Sequence, residues 1–108
     1  MFCPYLSQER WERECEEVEE RFTLFRSFVE FPFLGFRGVV GRRGVQYHVW
    51  VAAETDHYPK RTPWIFVEPE VPGVEANGRL RLDLKWDENC MFADVVAAAI
   101  GHIERFGA

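Results

Sequence analysis

The spacing of apolar residues changes along this chain from the period of a helix to the period of a strand, and this change restricts the fold more than any other feature. From Trp11 onward, apolar side chains recur at steps of three and four, in a stripe made of Trp11, Cys15, Val18, Phe22 and Phe25. Ser7 is a good N-cap, and Glu9 lies in the first turn, where the helix dipole favours negative charge. We therefore predict an amphipathic helix over residues 7 to 24, with this stripe facing a sheet.

The middle of the chain has the pattern of an antiparallel meander. Alternation of apolar and polar residues is clearest over Val45–Val51 and is typical of a half-buried strand. Pro32 interrupts an aromatic and β-branched segment, which indicates an edge strand or a bend. Glycines at both ends of residues 41 to 44 predict a turn. The predicted strands are residues 27–33, 34–40, 45–51 and 64–67.

The last third of the chain predicts a second helix. Leu80, Leu82 and Leu84 alternate as a short strand would, and a polar step then leads into an apolar helical face: Met91, Phe92, Val95, Val96, Ala99, Ile100 and Ile103. This helix should end near Phe106-Gly107. The expected fold is a single α+β domain over residues 1–108, in which an N-terminal helix, a meander of about four strands and a C-terminal helix pack together.

Composition and charge exclude several classes of function. A net charge of −5 disfavours binding to nucleic acid, and no apolar run reaches the length of a membrane-spanning helix. Three cysteines at unrelated spacings and no signal-like N-terminus favour a reducing, cytoplasmic setting without a disulfide framework. The three histidines, His48, His57 and His102, lack metal-ligand spacing. We expect no metal and no cofactor.

Several motifs follow one another in a characteristic order. Tyr58-Pro59-Lys60-Arg61-Thr62-Pro63 precedes the fourth strand, Val71-Pro72-Gly73 and Gly78–Leu82 follow it at a fixed interval, and Trp86 precedes the last helix. This arrangement resembles the ubiquitin-conjugating enzymes, most strongly between Gly44 and Ile103. In that family the corresponding elements are a Tyr-Pro loop, His-Pro-Asn, Gly-x-Ile-Cys-Leu and a tryptophan, here with a shorter loop before the tryptophan. Proline rigidifies such a loop, and Tyr58 can bury its ring while its hydroxyl remains bonded.

The departures from the family pattern concern its catalytic groups. Conjugating enzymes need a thiolate that accepts an acyl group, but Arg81 stands at that position. A guanidinium stays protonated and cannot act as a nucleophile. Gly73 replaces the asparagine that steadies the oxyanion, so a side-chain donor is also missing. The resemblance therefore implies a catalytically inactive variant with Arg81 on or beside an exposed crossover segment.

The three cysteines have different expected roles. Cys90 lies at or near the start of the second helix, where a helix dipole would lower a thiol pKa, so it is the alternative candidate for a relocated nucleophile. Cys15 lies on the apolar stripe and is expected in the core. Cys3 precedes Pro4 in a terminus that we expect to be mobile.

Three functions remain open at this point. The resemblance implies a non-catalytic adaptor or cofactor that binds a ubiquitin-like protein, or a catalytic conjugating or activating enzyme, and it allows a hetero-oligomer and a prokaryotic conjugation system. The alternatives are an active transferase that uses Cys90, and an interaction module like the RWD domains that is unrelated to ubiquitin-like proteins.

The predicted partner-binding residues lie in two places. Residues 9 to 21 carry seven glutamates and three arginines, and Glu12, Glu16 and Glu19 represent this acidic face. Such a face would repel an acidic partner and attract a basic one. Tyr58, Pro59 and Pro63 represent the Tyr-Pro loop. If the acidic face is only solvated surface, the partner should instead contact the sheet or this loop.

Overall fold

A five-stranded antiparallel sheet, in which each strand pairs with the next along the chain, forms the centre of the computed structural model. The structure describes residues 3–107. Its elements are α1 (Gln8–Arg21), β1 (Arg26–Glu30), β2 (Phe33–Arg42), β3 (Val45–Glu54), β4 (Trp64–Glu68), β5 (Arg79–Leu80) and α2 (Phe92–Phe106). The predicted α+β class, the order of its elements and its antiparallel meander are confirmed. No helix among the described residues is long and apolar enough to cross a membrane.

Helix α1 begins where the sequence predicts but ends earlier. The Ser7 hydroxyl accepts a hydrogen bond from the backbone N–H of Arg10 at 3.1 Å. The predicted end at residue 24 and the inclusion of Phe25 in the helical stripe are wrong, because the helix stops at Arg21 and is capped at Phe22. Phe25 is still buried, since its ring fills the space beside Gly38, where a Cβ atom would come within 2.5 Å of it.

Alternate residues of the strands divide the sheet into an inner and an outer face. The inner face is buried and consists of Leu34, Phe36 and Val40 of β2, Tyr47, Val49, Val51 and Ala53 of β3, Ile65 and Val67 of β4, and Leu80 of β5. Both helices pack on this side: α2 contacts β2 and β3, while α1 contacts β1 and α2. The outer face carries no helix within residues 3–107.

The core joins the two helices to the sheet through aromatic rings. Trp11 of α1 lies 5.4 Å from Phe36 and 6.1 Å from Phe92 of α2, between ring centroids, and the latter two rings are 5.2 Å apart. Phe92 meets both Trp11 and Phe36 edge-to-face, an arrangement that is favourable in cores. Trp11 and Val18 are buried as predicted, whereas Cys15 is only half-buried against the core.

Three sequence-based boundaries require correction. The hairpin turn consists of Arg43 and Gly44 alone, with φ of 50° and 80°, because β2 continues through Arg42. The predicted strand through Leu82 and Leu84 exists only at Arg79–Leu80, since β4 offers β5 just two pairing positions. The predicted strand over residues 27–33 ends at Glu30 and Phe33 begins β2, whereas Pro32 lies, as predicted, in a turn beside edge strand β1.

Candidate functional site

The crossover segment after β4 places Gly73 and Arg81 side by side. The backbone N–H of Arg81 donates to the carbonyl of Gly73 at 3.3 Å. The Arg81 side chain is 67% exposed, and its Nε lies 3.7 Å from a carboxylate oxygen of Glu75. Gly73 has a φ of +99°, a conformation that side-chain-bearing residues rarely adopt. The guanidinium of Arg81 is therefore exposed to solvent, as predicted.

The cysteines that the structure describes all lie outside the crossover segment that carries Gly73 and Arg81. Cys90 is half-buried in the turn before α2, where its thiol points to the carbonyl of Lys85 at 3.6 Å. Burial is the main factor that raises the pKa of Cys15 and of Cys3, which keeps both thiols protonated. The expectation of a mobile Cys3 is wrong: it is 4% exposed and belongs to the core.

A buried carboxylate anchors the Tyr-Pro loop to both helices. Glu14 of α1 is 0% exposed and accepts hydrogen bonds from the Tyr58 hydroxyl at 2.7 Å and from the backbone N–H of Phe92 at 2.6 Å. Arg10 donates to the same carboxylate at 3.2 Å and, through Nη2, to the carbonyl of Cys90 at 2.6 Å. One glutamate thus joins α1, the loop and the start of α2.

Burial and hydrogen bonding shift the pKa of Glu14 in opposite directions. Desolvation raises the pKa of Glu14, while the donors from Phe92, Tyr58 and Arg10 lower it in part. The pKa of Tyr58 is raised, first by burial and then by the nearby Glu14 charge, so its hydroxyl stays protonated and can donate. The predicted buried ring and bonded hydroxyl of Tyr58 are confirmed.

The predicted partner-binding residues divide into exposed and buried groups. Glu12 and Glu16 are exposed on α1, and Glu19 is half-buried, where it accepts a hydrogen bond from the backbone of Ser27 at 3.2 Å. In contrast, Tyr58, Pro59 and Pro63 are all buried. These three residues shape the loop and offer little surface to a partner.

A groove on the outer face of the sheet is lined by several aromatic rings, some of them exposed. Its volume is about 460 Å³. Its lining includes Phe28, Phe33, Trp50, Trp64 and Phe66, together with Glu30, Ala52, Glu54, His57 and Arg61. Trp64 is 45% exposed and Phe33 is 46% exposed. Contiguous exposed apolar patches, unlike single exposed apolar residues, mark interaction sites.

The register of the strands orders the groove into three rows. The glutamate row is Glu30, Phe33 and Glu54; the aromatic row is Phe28, Gly35, Ala52 and Trp64; the arginine row is Arg26, Arg37, Trp50, Phe66 and Arg79. In the aromatic row, two small residues form a floor between two aromatic walls. Guanidinium groups of the arginine row already lie over these walls, with Arg37 5.9 Å from the Phe28 centroid and Arg79 4.6 Å from that of Trp64.

The rest of the described chain offers no evident centre for metal chemistry. Within residues 3–107, no group of three or more His, Cys, Asp or Glu side chains is arranged to hold a metal ion. His57 lies 3.3 Å from Glu54, and His102 contacts the carbonyl of Pro72. These are isolated contacts on different parts of the surface.

Comparison with known proteins gives no further assignment: no protein-family model matches the chain, and no curated protein or solved structure is significantly similar to it.

Sequence reasoning missed both Glu14 and the groove. In the sequence nothing distinguishes Glu14 from the other glutamates of the acidic face, because its partners lie 44 and 78 residues away in the chain. The outward position of Trp50 follows from the alternation in β3. However, the groove also needs side chains of β1, β2 and β4, which only the strand register brings together.

Proposed function

We propose that this chain is a non-catalytic protein-binding domain similar to inactive ubiquitin-conjugating-enzyme variants, and that it binds a ubiquitin-like protein or an enzyme of a conjugation pathway. The observation that carries the proposal is the exposed guanidinium of Arg81 beside Gly73, at the positions where the resemblance expects a nucleophilic cysteine and an asparagine. This pair can neither accept an acyl group nor donate a side-chain hydrogen bond to an oxyanion.

Two further features support a binding role over transfer. Cys90, the candidate for a relocated nucleophile, lies in the turn before α2, where its backbone carbonyl accepts a hydrogen bond from Arg10. In addition, the outer face of the sheet and the acidic face of α1 are uncovered within the described residues, so each is available to a partner. The resemblance supplies the class of that partner, and the geometry supplies the surfaces.

The proposal predicts that the chain forms no thioester. We expect that incubation with an activating enzyme, ATP and a ubiquitin-like protein from its source gives no adduct that a reducing agent cleaves, because Arg81 offers no thiolate. Non-reducing gels and intact-mass measurement provide the readout. A thiol-sensitive adduct that Cys90→Ser abolishes would contradict the proposal and would assign transfer to Cys90. Binding of the same ubiquitin-like protein or activating enzyme without an adduct would support it.

The acidic face of α1 gives a second prediction. Changing Glu12, Glu16 and Glu20 to lysine should weaken binding of a basic partner by about tenfold at low salt, because complementary charges speed encounter and stabilise the complex. The difference should shrink at high salt, where screening shortens the range of the interaction. Glu19 is left unchanged because it binds the backbone of Ser27.

A control variant separates local from overall charge. Changing Glu68, Glu70 and Glu104 to lysine alters the net charge equally, but these exposed residues lie outside α1. Binding of a partner isolated by pull-down with the immobilised chain should be measured for both variants at two salt concentrations. Equal affinity of the α1 variant and the unchanged chain would show that α1 serves only for packing, with contact elsewhere.

A further inference from the structure

The groove on the outer face is polar at its ends and apolar in its middle. Its aromatic row has walls at Phe28 and Trp64, which are three strand spacings, or about 14 Å, apart. Ala52 lies between them on the floor. After allowance for the thickness of the rings, this width accommodates one inserted apolar side chain and its backbone. The floor has no polar side chain that such an insertion would leave unpaired.

The glutamate row places two carboxylates at one end of the groove. Glu30 and Glu54 pair across the sheet with Phe33, which lies between them. Their carboxylates are largely exposed, and their existing partners are weak: Arg37 lies 3.9 Å from Glu30, and His57 lies 3.3 Å from Glu54. Exposed pairs of this kind contribute little and can exchange for a cation from another molecule.

An aromatic ring between two carboxylates is a favourable position for a cation. The face of Phe33 attracts positive charge through its quadrupole, and the flanking carboxylates add Coulomb attraction. The guanidinium of Arg61 lines the groove with the two carboxylates, while Arg37, which pairs with Glu30, and Arg79 lie over the two walls of the aromatic row. The arginine row lies on the opposite side of the aromatic row. A cation is therefore favoured over the glutamate row and disfavoured over the arginine row.

The spacing of the rows specifies how the two groups of a ligand are connected. Neighbouring rows on one face are two residues apart along each strand, or about 6.8 Å, and side chains at positions i and i+2 of an extended peptide have the same separation. We propose that the groove binds an extended segment of a partner protein with the pattern basic–x–apolar, whose apolar side chain enters the aromatic row and whose lysine or arginine lies over the glutamate row. This inference rests on the proposed function, because it specifies the surface and the chemistry of the partner.

The test uses short capped peptides and the intact chain. A peptide of sequence Gly-Lys-Ser-Leu-Ser-Gly is titrated into labelled protein, and binding is followed through the indole N–H signals of Trp50 and Trp64 in NMR spectra. We expect shifts at these signals and at the amides of the glutamate row. Replacing the peptide lysine by glutamate, or its leucine by serine, should weaken binding about fivefold, as the loss of one cation–ring and carboxylate contact or one apolar contact implies.

Variants of the chain identify the two subsites separately. Ala52→Phe should fill the floor and abolish binding, while the double change Glu30→Gln and Glu54→Gln should remove the preference for lysine over glutamate. Glu68→Gln, on the same outer face but outside the lining, should bind as the unchanged chain does. Circular dichroism confirms that each variant is folded.

Three results would overturn the inference. One is equal affinity for the lysine and glutamate peptides, and another is a set of shifts confined to α1. The third is a dimer that Trp64→Ala dissociates, because a second copy of the chain would then occupy the groove. None of these results bears on the thioester assay, so the groove can fail while the proposed function stands.

Discussion

Replacing Glu14 with alanine should lower the free energy of unfolding by about 4 kcal/mol, because removal of one member of a buried charged network leaves its partners unpaired. The change leaves the buried Tyr58 hydroxyl and the buried Phe92 N–H without the acceptor that Glu14 provides. It also removes the side-chain partner of Arg10. A small domain has only about 5–15 kcal/mol of stability in total. Urea denaturation followed by circular dichroism measures the effect.

Two comparison variants make this prediction specific. Glu16→Ala on the exposed side of the same helix should change stability by less than about 0.5 kcal/mol. Tyr58→Phe removes one donor but leaves Glu14 bonded to Phe92 and Arg10, so it should cost about 1 kcal/mol. Equal midpoints for Glu14→Ala and Glu16→Ala would show that the buried carboxylate does not hold the loop and helices together.

Replacing Gly35 with alanine should destabilise the chain by about 3 kcal/mol, because a Cβ atom there cannot be accommodated without moving a strand. An ideal Cβ at this position would lie 1.9 Å from the backbone carbonyl oxygen of Val51 on the neighbouring strand β3. That oxygen belongs to the backbone and cannot rotate away as a flexible side chain could. Relief would require β2 and β3 to separate beneath the floor of the groove.

Gly41 provides a matched control within the same strand. It also lies in β2, but nothing is within 4 Å of the Cβ position that a substitution would fill. Gly41→Ala should therefore change the free energy of unfolding, measured by urea denaturation, by less than about 0.5 kcal/mol. If Gly35→Ala and Gly41→Ala unfold at the same urea concentration, the close approach of the strands is not a constraint on Gly35.

The candidate site could be predicted from the sequence only where its residues act locally. The spacing from the Tyr-Pro loop singles out Arg81 and Gly73, and their mutual contact is a short-range one within a single irregular segment. The groove could not be predicted, because Phe28, Phe33 and Trp64 come from three strands and each alone reads as an ordinary strand residue. Their convergence depends on the register of three hairpin pairings.

The sequence by itself determined the helices, the larger strands and the inner face of the sheet. These features follow from apolar periodicity and from caps such as Ser7, which involve residues within a few positions of one another. Only the tertiary structure decided that Glu14 is buried and that Tyr58 is its partner. A glutamate on a charged helix carries no local mark of burial, because whether it is desolvated depends on what the distant chain places over it. The end of α1 at Arg21 also depends on tertiary structure, in which the ring of Phe25 packs beside Gly38 of β2 instead of continuing the helical stripe.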